Sequence, residues 1–368
     1  MKPSKKQKRH ITVVGGGIIG LSCAWALVRR GWQVTVLDGA PEAREASWAA
    51  AGMLAPHHEA HGPGPLWHLG IDSLQRWPGF VEELGIHPSA VDLRLAGGLL
   101  PVLDPADEEV VIERRRFLEA HDIPVRWINA NDLRRAEPAL SQTCRAALLV
   151  PGGQVNPRLM CARLQEAASA LGASIRYHTP VIAVEPGRVV LANHEVIASD
   201  EVVLASGAWT PQLAALAGID LPGEPVKGQM LRLRAADGVL KHFVHCHHAY
   251  LVPRSGLGLV VGATMVTNGF DRSNDPAAIE RLAAGARRLI PALADAPIIE
   301  HWTGLRPRIA QGLPVIAQVR PGLIIATGHF RNGVLLAPIT AEVVRCLAEK
   351  QPVPHDLAPF SCPSPSIL

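Results

Sequence analysis

The spacing of apolar residues divides the chain into segments with three different patterns. Short segments with a mainly apolar core, each closed by a glycine turn, occur at residues 10–15, 200–205 and 321–327, and such segments are typical of buried parallel strands. Residues 224–265 contain several short strand-like runs, which predict a separate and largely antiparallel sheet. Helical periodicity is found at residues 17–30, 67–84, 105–121, 157–171, 276–290 and about 334–349.

The order of these segments predicts the fold class. Parallel-type strands lie near the start, in the middle and near the end of the chain, with antiparallel material between them. Two discontinuous domains therefore fit the pattern better than two consecutive ones, and a length of 368 residues agrees with two domains. We predict an α/β protein in which a Rossmann-like domain accompanies an α+β domain with a largely antiparallel sheet.

The first strand, helix and second strand form a complete βαβ unit. Residues 15–20 (GGGIIG) match the pattern G-x-G-x-x-G, and Asp38 ends the second strand, residues 33–38. Gly15 permits the tight turn, Gly17 lets the backbone approach a pyrophosphate, and Gly20 lets the helix pack closely on the strand. We expect Asp38 to accept hydrogen bonds from ribose hydroxyls, which disfavours NADP. The motif by itself leaves NAD and FAD open.

The segment after the second strand is unusually rich in small residues. Residues 41–56 are predicted to form a loop that leads into a short helix, and residues 45–54 read EASWAAAGML. Small side chains allow a large ligand or another backbone to approach closely. A tightly packed alanine-rich helix explains the same composition, so the residues alone leave both interpretations open.

Composition and charge exclude several classes of function. Hydrophobic residues make up 48% of the chain and charged residues 19%, as in a folded rather than a disordered protein. Five positive charges lie within residues 1–9, so the rest of the chain has a net charge of −2 instead of the overall +3, and no nucleic-acid surface is predicted. The six cysteines contain no CxxC pair, and no apolar stretch is long enough for a membrane span. We therefore expect reduced thiols and a cytoplasmic location.

Two groups of histidines invite a metal-binding interpretation. The segment 57–66, with His57, His58 and His61, lacks periodicity and is predicted to be an exposed loop. Near residue 246, histidines stand at positions 245, 247 and 248 around a cysteine, but alternate strand residues point to opposite faces. We predict no metal site.

Three blocks of sequence carry a family resemblance. They are HITVVGGGIIGLSCAWAL with Asp38, ASWAAAGMLAP at 46–56, and TGLRPRIAQGLPVIA at 303–317 with TGHFRNGVLLAPIT at 327–340. With these blocks the chain resembles the glycine/D-amino-acid oxidase family of FAD-dependent oxidoreductases, and it is most similar to the glycine oxidases of thiamine biosynthesis. The resemblance extends over nearly the whole chain.

The resemblance implies two domains with different functions. An FAD-binding domain is expected from residues 1–80, 145–220 and 305–368, and a substrate domain from residues 81–144 and 221–304. It also implies a set of residues that contact FAD: Gly15, Gly17, Ile18, Ile19, Gly20, Asp38, Ser47, Ala50, Ala51, Gly52, Met53, Val181, Gly328, His329, Arg331, Asn332, Gly333, Val334 and Leu335. The helix that follows residues 328–335 is expected to direct its N-terminus at the pyrimidine edge of the flavin.

The resemblance further implies three catalytic residues. Arg306 matches the arginine that holds the substrate carboxylate, for which a planar guanidinium is better suited than lysine. Tyr250 matches a substrate-contacting hydroxyl, and Arg331 matches a further active-site arginine. Some relatives attach FAD through a cysteine after the carboxylate arginine, but residues 308–320 contain none, so we expect non-covalent FAD.

The expected reaction is FAD-dependent oxidation of glycine, a small amine or a D-amino acid to the imine, with oxygen reduced to hydrogen peroxide. The imine is then hydrolysed to glyoxylate and ammonia or supplied to thiazole synthesis. Alternatives are a D-amino-acid dehydrogenase, a sarcosine or proline oxidase, and a non-catalytic flavin-binding subunit. The expected partners are the amine substrate and oxygen, while the sequence leaves the preferred amine, the final electron acceptor and a homo-oligomeric state open.

Overall fold

A computed structural model describes residues 9–40, 44–59, 62–246 and 249–362. The strands are β1 His10–Val14, β2 Gln33–Leu37, β3 Met53–Leu54, β4 Gly98–Val102, β5 Arg126–Asn129, β6 Ala146–Val150, β7 Gly153–Gln154, β8 Ser174–Arg176, β9 Val181–Glu185, β10 Arg188–Leu191, β11 Val196–Ala198, β12 Glu201–Leu204, β13 Gly223–Leu233, β14 Phe243–His245, β15 Tyr250–Arg254, β16 Gly258–Gly262, β17 Ile298–Ile309, β18 Val315–Arg320 and β19 Leu323–Thr327. The α-helices are α1 Ile18–Val28, α2 Ala46–Ala49, α3 Pro56–Glu59, α4 Pro65–Glu83, α5 Pro105–Glu119, α6 Ala130–Ala136, α7 Pro157–Ala170, α8 Thr210–Leu216, α9 Pro276–Leu289 and α10 Ala337–Glu349. Short 3₁₀ helices lie at Pro88–Val91, Gly207–Trp209, Pro291–Leu293 and Ala358–Phe360.

The chain divides into two compact units, each built from separate stretches of sequence. The first unit comprises Met1–Trp48, Arg158–Val226 and Leu305–Leu368, and the second comprises Ala49–Pro157 and Lys227–Gly304. These units differ from the predicted domains mainly over residues 49–80 and 145–157, which belong to the second unit. Residues 145–157 belong to the second unit because β6 pairs with β4 and β5 in one sheet. Which unit serves FAD and which serves the substrate stays a prediction.

The first unit contains a six-stranded sheet in the order β18-β19-β12-β1-β2-β8. All neighbours are parallel except the edge pair β18–β19. The predicted apolar runs at 10–15, 200–205 and 321–327 become β1, β12 and β19, whose residues are buried apart from the half-exposed His10. Parallel strands covered on both faces need such continuous apolar runs. Helix α1 is buried at all but one of its positions and packs against α10.

An eight-stranded sheet in the order β17-β13-β16-β15-β14-β4-β6-β5 belongs mainly to the second unit, while residues 223–226 of β13 and 305–309 of β17 belong to the first. The registers that link β13, β16, β15 and β14 are antiparallel, as the pattern at 224–265 predicts, while β14 and β4 run parallel. Helix α9 places its buried apolar face on the main core of the second unit, which includes Leu231, Leu251 and Val261. The predicted fold class, a Rossmann-like α/β fold with a largely antiparallel second sheet, is confirmed.

One prediction about a loop is wrong. Residues 56–59 form α3, and His57 and His58 are only 3% and 5% exposed. The His57 Nδ1 atom accepts a hydrogen bond from Trp67 Nε1 at 3.2 Å, and the His58 ring packs on Phe243 with centroids 4.8 Å apart. The lack of periodicity gave no sign of burial, because the aromatic partners come from other segments. His61, His247, His248 and the basic residues 2–8 lie outside the described residues.

Candidate functional site

The turn after β1 requires glycine for steric reasons. Gly15 has φ +114°, and a Cβ atom there would collide with the carbonyl of Ala205. A Cβ atom on Gly20 would collide with the carbonyl of Gly15, so only glycine allows α1 to start this close to the turn. The backbone consequently makes a tight strand–turn–helix connection at the carboxyl edge of the parallel sheet, where open α/β folds bind their ligands.

The N-terminus of α1 has features that suit phosphate groups. Gly17 is the N-cap residue and provides no side-chain cap, while Ser47 Oγ accepts a hydrogen bond from the Ile18 amide at 2.9 Å. A Cβ atom on Gly17 would lie 3.0 Å from Ser47 Oγ, so glycine keeps the approach to the helix start clear. Both Ile18 and Ile19 are buried in the first turn of the helix. The positive end of the helix dipole favours an anion here.

Asp38 lies just after β2 and binds the same glycine turn. Its Oδ2 atom accepts a hydrogen bond from the Gly16 amide at 2.6 Å, and its Oδ1 atom accepts one from the Ala40 amide at 2.8 Å. Burial raises the pKa of this carboxyl group, and the two backbone hydrogen bonds oppose that rise. The carboxylate is therefore fixed in place beside the turn.

Val181 lies near this acidic group through the backbone. The Thr179 amide donates a hydrogen bond to the Asp38 carbonyl at 2.8 Å. Val181 follows two residues later as the half-buried first residue of β9, where it pairs with Leu191. Val181, the residue predicted on the adenine side, thus lies two residues from a backbone hydrogen bond to Asp38.

A second turn in the first unit carries the predicted flavin-side residues. Gly328 follows β19 with φ +76°, and a Cβ atom there would collide with Ile309. The Phe330 amide donates to the Pro307 carbonyl at 3.0 Å, which ties this turn to β17 next to Arg306. Arg306 is half-buried and Arg331 is exposed. The two predicted arginines thus lie on adjoining segments of the same unit.

A buried histidine anchors this second turn to the following helix. His329 is 3% exposed, and its Nε2 atom lies 3.0 Å from Thr340 Oγ1 of α10. Burial lowers the pKa of His329 to about 3, so the ring is neutral at ordinary pH. The Asn332 amide bonds the His329 carbonyl at 2.8 Å, Gly333 is half-buried, and Val334 and Leu335 are buried. Helix α10 begins at Ala337, three residues later than its apolar pattern predicts.

The remaining predicted site residues belong to the second unit. Ala50 is half-buried, Ala51 is buried, and Gly52 has φ +75° with its Cα facing Val155 and Pro157. Met53 pairs with Gln154 in the two-stranded sheet β3–β7. The small residues therefore allow another backbone segment to approach closely, in addition to any ligand. Only residues 46–49 form the short helix that the alanine-rich composition suggested.

Tyr250 is the first residue of β15 and is 8% exposed. Its hydroxyl donates to Met230 Sδ at 3.0 Å, and its ring centroid lies 6.3 Å from that of His245. Within the described residues, no group of three or more histidine, cysteine, aspartate or glutamate side chains has the arrangement needed to hold a metal ion.

Arg254, at the end of β15, is not among the residues predicted from the sequence. This arginine is 5% exposed and donates to the Ala51 carbonyl and, at 2.9 Å, to the Val155 carbonyl. The available signal was a cation within the buried strand YLVPR, since a charged residue in an apolar strand needs a specific partner. The partner itself could not be read from the sequence.

Comparison with known proteins identifies the family. The family model described as "FAD dependent oxidoreductase" matches residues 10–347. The chain belongs to this family. FAD is accordingly its cofactor, and the first unit fits such a dinucleotide, because it has a glycine turn without obstructing Cβ atoms, a helix N-terminus whose N-cap glycine has no side chain, and a fixed carboxylate after β2.

Several known proteins are similar to this FAD-dependent oxidoreductase over most of the present chain. A glycine oxidase of Geobacillus kaustophilus is 34% identical over 95% of this chain and 96% of its own length. A bifunctional protein ThiO/ThiG of Nostoc is 35% identical over 93% of this chain, which spans 53% of that longer protein. The crystal structure of glycine oxidase from Geobacillus kaustophilus has a TM-score of 0.90 and 31% identity, covering 96% of this chain and 99% of that one.

In the present chain, none of the helices within the described residues combines the length and the apolar character that a bilayer requires.

Proposed function

We propose that this protein is an FAD-dependent amino-acid oxidase that acts on glycine or a similarly small amine or D-amino acid. The structural observation that supports this most directly is the half-buried Arg306 on a strand bonded to the turn 328–331. An arginine held in that place binds a carboxylate bidentately and fixes the orientation of an amino acid. The similarity to glycine oxidases extends over nearly the whole chain and agrees with the proposal.

The chemistry divides between cofactor and protein. When bound, FAD would supply the redox chemistry: acceptance of a hydride from the α-carbon of the neutral amine and transfer of the two electrons to oxygen, which gives hydrogen peroxide. Loss of the hydride leaves an iminium ion, which releases its proton to solvent water to give the imine, and water hydrolyses glycine's imine to glyoxylate and ammonia. No general base is needed, so the task of the protein is orientation.

The side chains have separate roles in this proposal. Arg306 holds the substrate carboxylate, and the exposed Arg331 adds positive charge on the adjoining turn. The Tyr250 hydroxyl donates to a thioether in this structure, and a thioether is a weak acceptor, so a substrate oxygen is a favourable replacement. Residues Ala50–Met53 and 328–335 contact FAD, which is held without a covalent bond.

A biosynthetic role follows from the same proposal. We propose that the imine supplies a thiazole-forming reaction in thiamine synthesis, and the ThiO/ThiG relative, whose name joins two activities in one chain, supports this role. The six cysteines, all within the described residues, form no disulfide, which agrees with a reducing, cytoplasmic location.

The decisive experiment is anaerobic mixing of the FAD-loaded protein with glycine, sarcosine, D-alanine, D-proline and L-alanine while the flavin absorbance is followed. We expect glycine or another small amine to bleach the flavin, and oxygen to restore the colour with release of hydrogen peroxide.

Other outcomes point to the alternatives. Bleaching that a quinone reverses but oxygen does not indicates a D-amino-acid dehydrogenase. Bleaching by sarcosine or D-proline but not by glycine indicates a secondary-amine oxidase. A flavin that no amine bleaches contradicts the proposal and indicates a non-catalytic flavin-binding subunit.

A further inference from the structure

The small-residue segment at 49–53 is held by buried groups that are remote in sequence. Trp302 Nε1 donates to the Ala49 carbonyl at 3.0 Å, and the Arg254 guanidinium donates to the Ala51 carbonyl. The Gly52 carbonyl accepts from the Val155 amide at 2.9 Å. Three carbonyls in four consecutive residues are thus bound within the second unit. Between α2 and β3, hydrogen bonds to remote residues replace those of a helix or strand.

Arg254 has the most specific arrangement among these groups. Its Nη2 atom bonds the carbonyls of both Ala51 and Val155, and its Nη1 atom lies 3.5 Å from Asp92 Oδ2. Arg254 and Asp92 are 5% and 6% exposed, so the positive charge is compensated inside the protein. A buried cation is unfavourable without such a partner. A planar fork that bonds two chain segments at once is a task for arginine that lysine performs less well.

Asp92 is itself held by a second arginine. Arg94 Nε donates to Asp92 Oδ1 at 2.9 Å, and Ser255 Oγ donates to the same oxygen at 3.0 Å. Arg94 also reaches Ser255 Oγ with Nη2 at 2.7 Å. The two arginines share one carboxylate, but among the described contacts only the Arg254 side chain reaches the Ala51 carbonyl. Arg94 is therefore a natural control for effects that pass through Asp92 alone.

We propose that Arg254 and Trp302 are positioning residues that fix the backbone of residues 49–53 in the conformation that receives FAD. This inference depends on the proposal that Ala50–Met53 contact the cofactor. Small residues and a glycine with φ +75° leave such a segment with many alternative conformations in the absence of external hydrogen bonds. Pinning the carbonyls of Ala49 and Ala51 on either side of Ala50 removes these alternatives before the cofactor binds.

The test compares Arg254→Met, Arg254→Lys, Trp302→Phe and the control Arg94→Met as FAD-loaded proteins. The FAD dissociation constant is measured from the flavin fluorescence released on dilution, and the visible flavin spectrum and thermal unfolding are recorded alongside. We expect Arg254→Met to weaken FAD binding about 10- to 100-fold, as for loss of a charge-assisted hydrogen bond. Arg254→Lys should recover part of this loss, and Trp302→Phe should show a smaller weakening with an altered spectrum.

The control separates positioning from general stability. Arg94→Met should keep the FAD dissociation constant within about twofold, even where its melting temperature falls as far as that of Arg254→Met, because the Ala51 contact is intact. Equal weakening of FAD binding in both methionine variants would overturn the inference. Where Arg254→Met does not fold, Arg254→Lys and Trp302→Phe decide the matter, and unchanged FAD affinity and spectrum in both would reject it.

A further variant tests the premise separately. Ala50→Leu adds bulk to a half-buried position between the two pinned carbonyls. Unchanged FAD affinity in Ala50→Leu shows that the segment does not contact FAD, and the premise then fails. Weakened binding in Ala50→Leu together with normal binding in Arg254→Met shows that the premise holds and that the positioning role is wrong.

Discussion

At the scale of single residues, two arginines on β17 have similar positions and different expected roles. Arg306 and Arg308 are both half-buried, and Arg308 forms an ion pair with the exposed side chain of Glu224. Arg306 is adjacent to Pro307, whose carbonyl binds the turn that carries Arg331. Only Arg306 stands at the position that the family resemblance assigns to the substrate carboxylate.

We expect Arg306→Ala to lower kcat/KM for the amino-acid substrate by about 100-fold or more, because it removes a bidentate, charge-assisted contact. Arg306→Lys should recover only part of the loss, since an ammonium group lacks the planar fork. Steady-state peroxide production provides the measurement, after the FAD content of each variant has been checked.

Arg308→Ala is the matched control for this prediction. This variant removes a surface ion pair on the same strand, and such pairs contribute little to stability. Because Arg308 is not assigned to the substrate carboxylate, the kcat/KM of Arg308→Ala should stay within about twofold of the wild-type value. If Arg306→Ala retained nearly all of its kcat/KM, the carboxylate would have to be bound by another residue.

At the scale of secondary-structure elements, Asp38 joins the end of β2 to the turn between β1 and α1. Its carboxylate accepts hydrogen bonds from the Gly16 and Ala40 amides, and its pKa is raised mainly by burial. We predict that ribose hydroxyls of FAD donate to this carboxylate. Such bonds favour its charged form, so FAD binding would be coupled to loss of the Asp38 proton. FAD affinity should therefore fall as the pH falls through this raised pKa.

We expect Asp38→Asn to weaken FAD binding by about 1.5–3 kcal/mol, the usual contribution of a hydrogen bond to a charged group, and to flatten its dependence on acidic pH. Fluorescence titration at several pH values measures both effects. Asp200→Asn is the control, because Asp200 Oδ2 also accepts a backbone hydrogen bond from β1, at 2.7 Å from the His10 amide, but at the amino end of the strand. A pH profile of Asp38→Asn that matched the wild type would argue against the ribose role.

At the scale of the whole molecule, buried neutral histidines make stability sensitive to pH. Burial lowers the pKa of His329 to about 3 and that of His57 to about 4, and it lowers the pKa of His58 well below its usual range. In the unfolded chain each histidine titrates near 6.5. As the pH falls below about 6.5, the unfolded state binds protons that the folded state does not, so stability decreases towards the folded pKa values.

Each such histidine should decrease the free energy of unfolding by up to about 1.4 kcal/mol per pH unit below its unfolded pKa. His329→Gln should therefore lose less thermal stability than the wild type between pH 7 and 5.5, a range above the titration of ordinary carboxyl groups. His301→Gln, at an exposed position on β17, is the matched control, because it removes a histidine that is not buried. Parallel slopes for His329→Gln and the wild type would show that His329 does not take part.

Local sequence features predicted those parts of the protein that depend on neighbouring residues. The strand, glycine turn and helix at 10–28 were predicted because continuous burial and turn geometry act over a few positions, and the structure shows them as β1, the Gly15 turn and α1. Asp38 was identified by its place at the end of β2. The order of apolar runs likewise predicted one mostly parallel and one largely antiparallel sheet.

The tertiary structure alone decided which remote groups meet. His57 and His58 pack against Trp67 and Phe243, and the Ala51 carbonyl accepts a hydrogen bond from Arg254, 203 positions away. The same holds for β6, whose pairing places residues 146–150 in the second unit. Local periodicity reports whether a residue faces a core, whereas sheet register and the packing of distant segments determine its partners, and a buried polar group is stable only once those partners are in place.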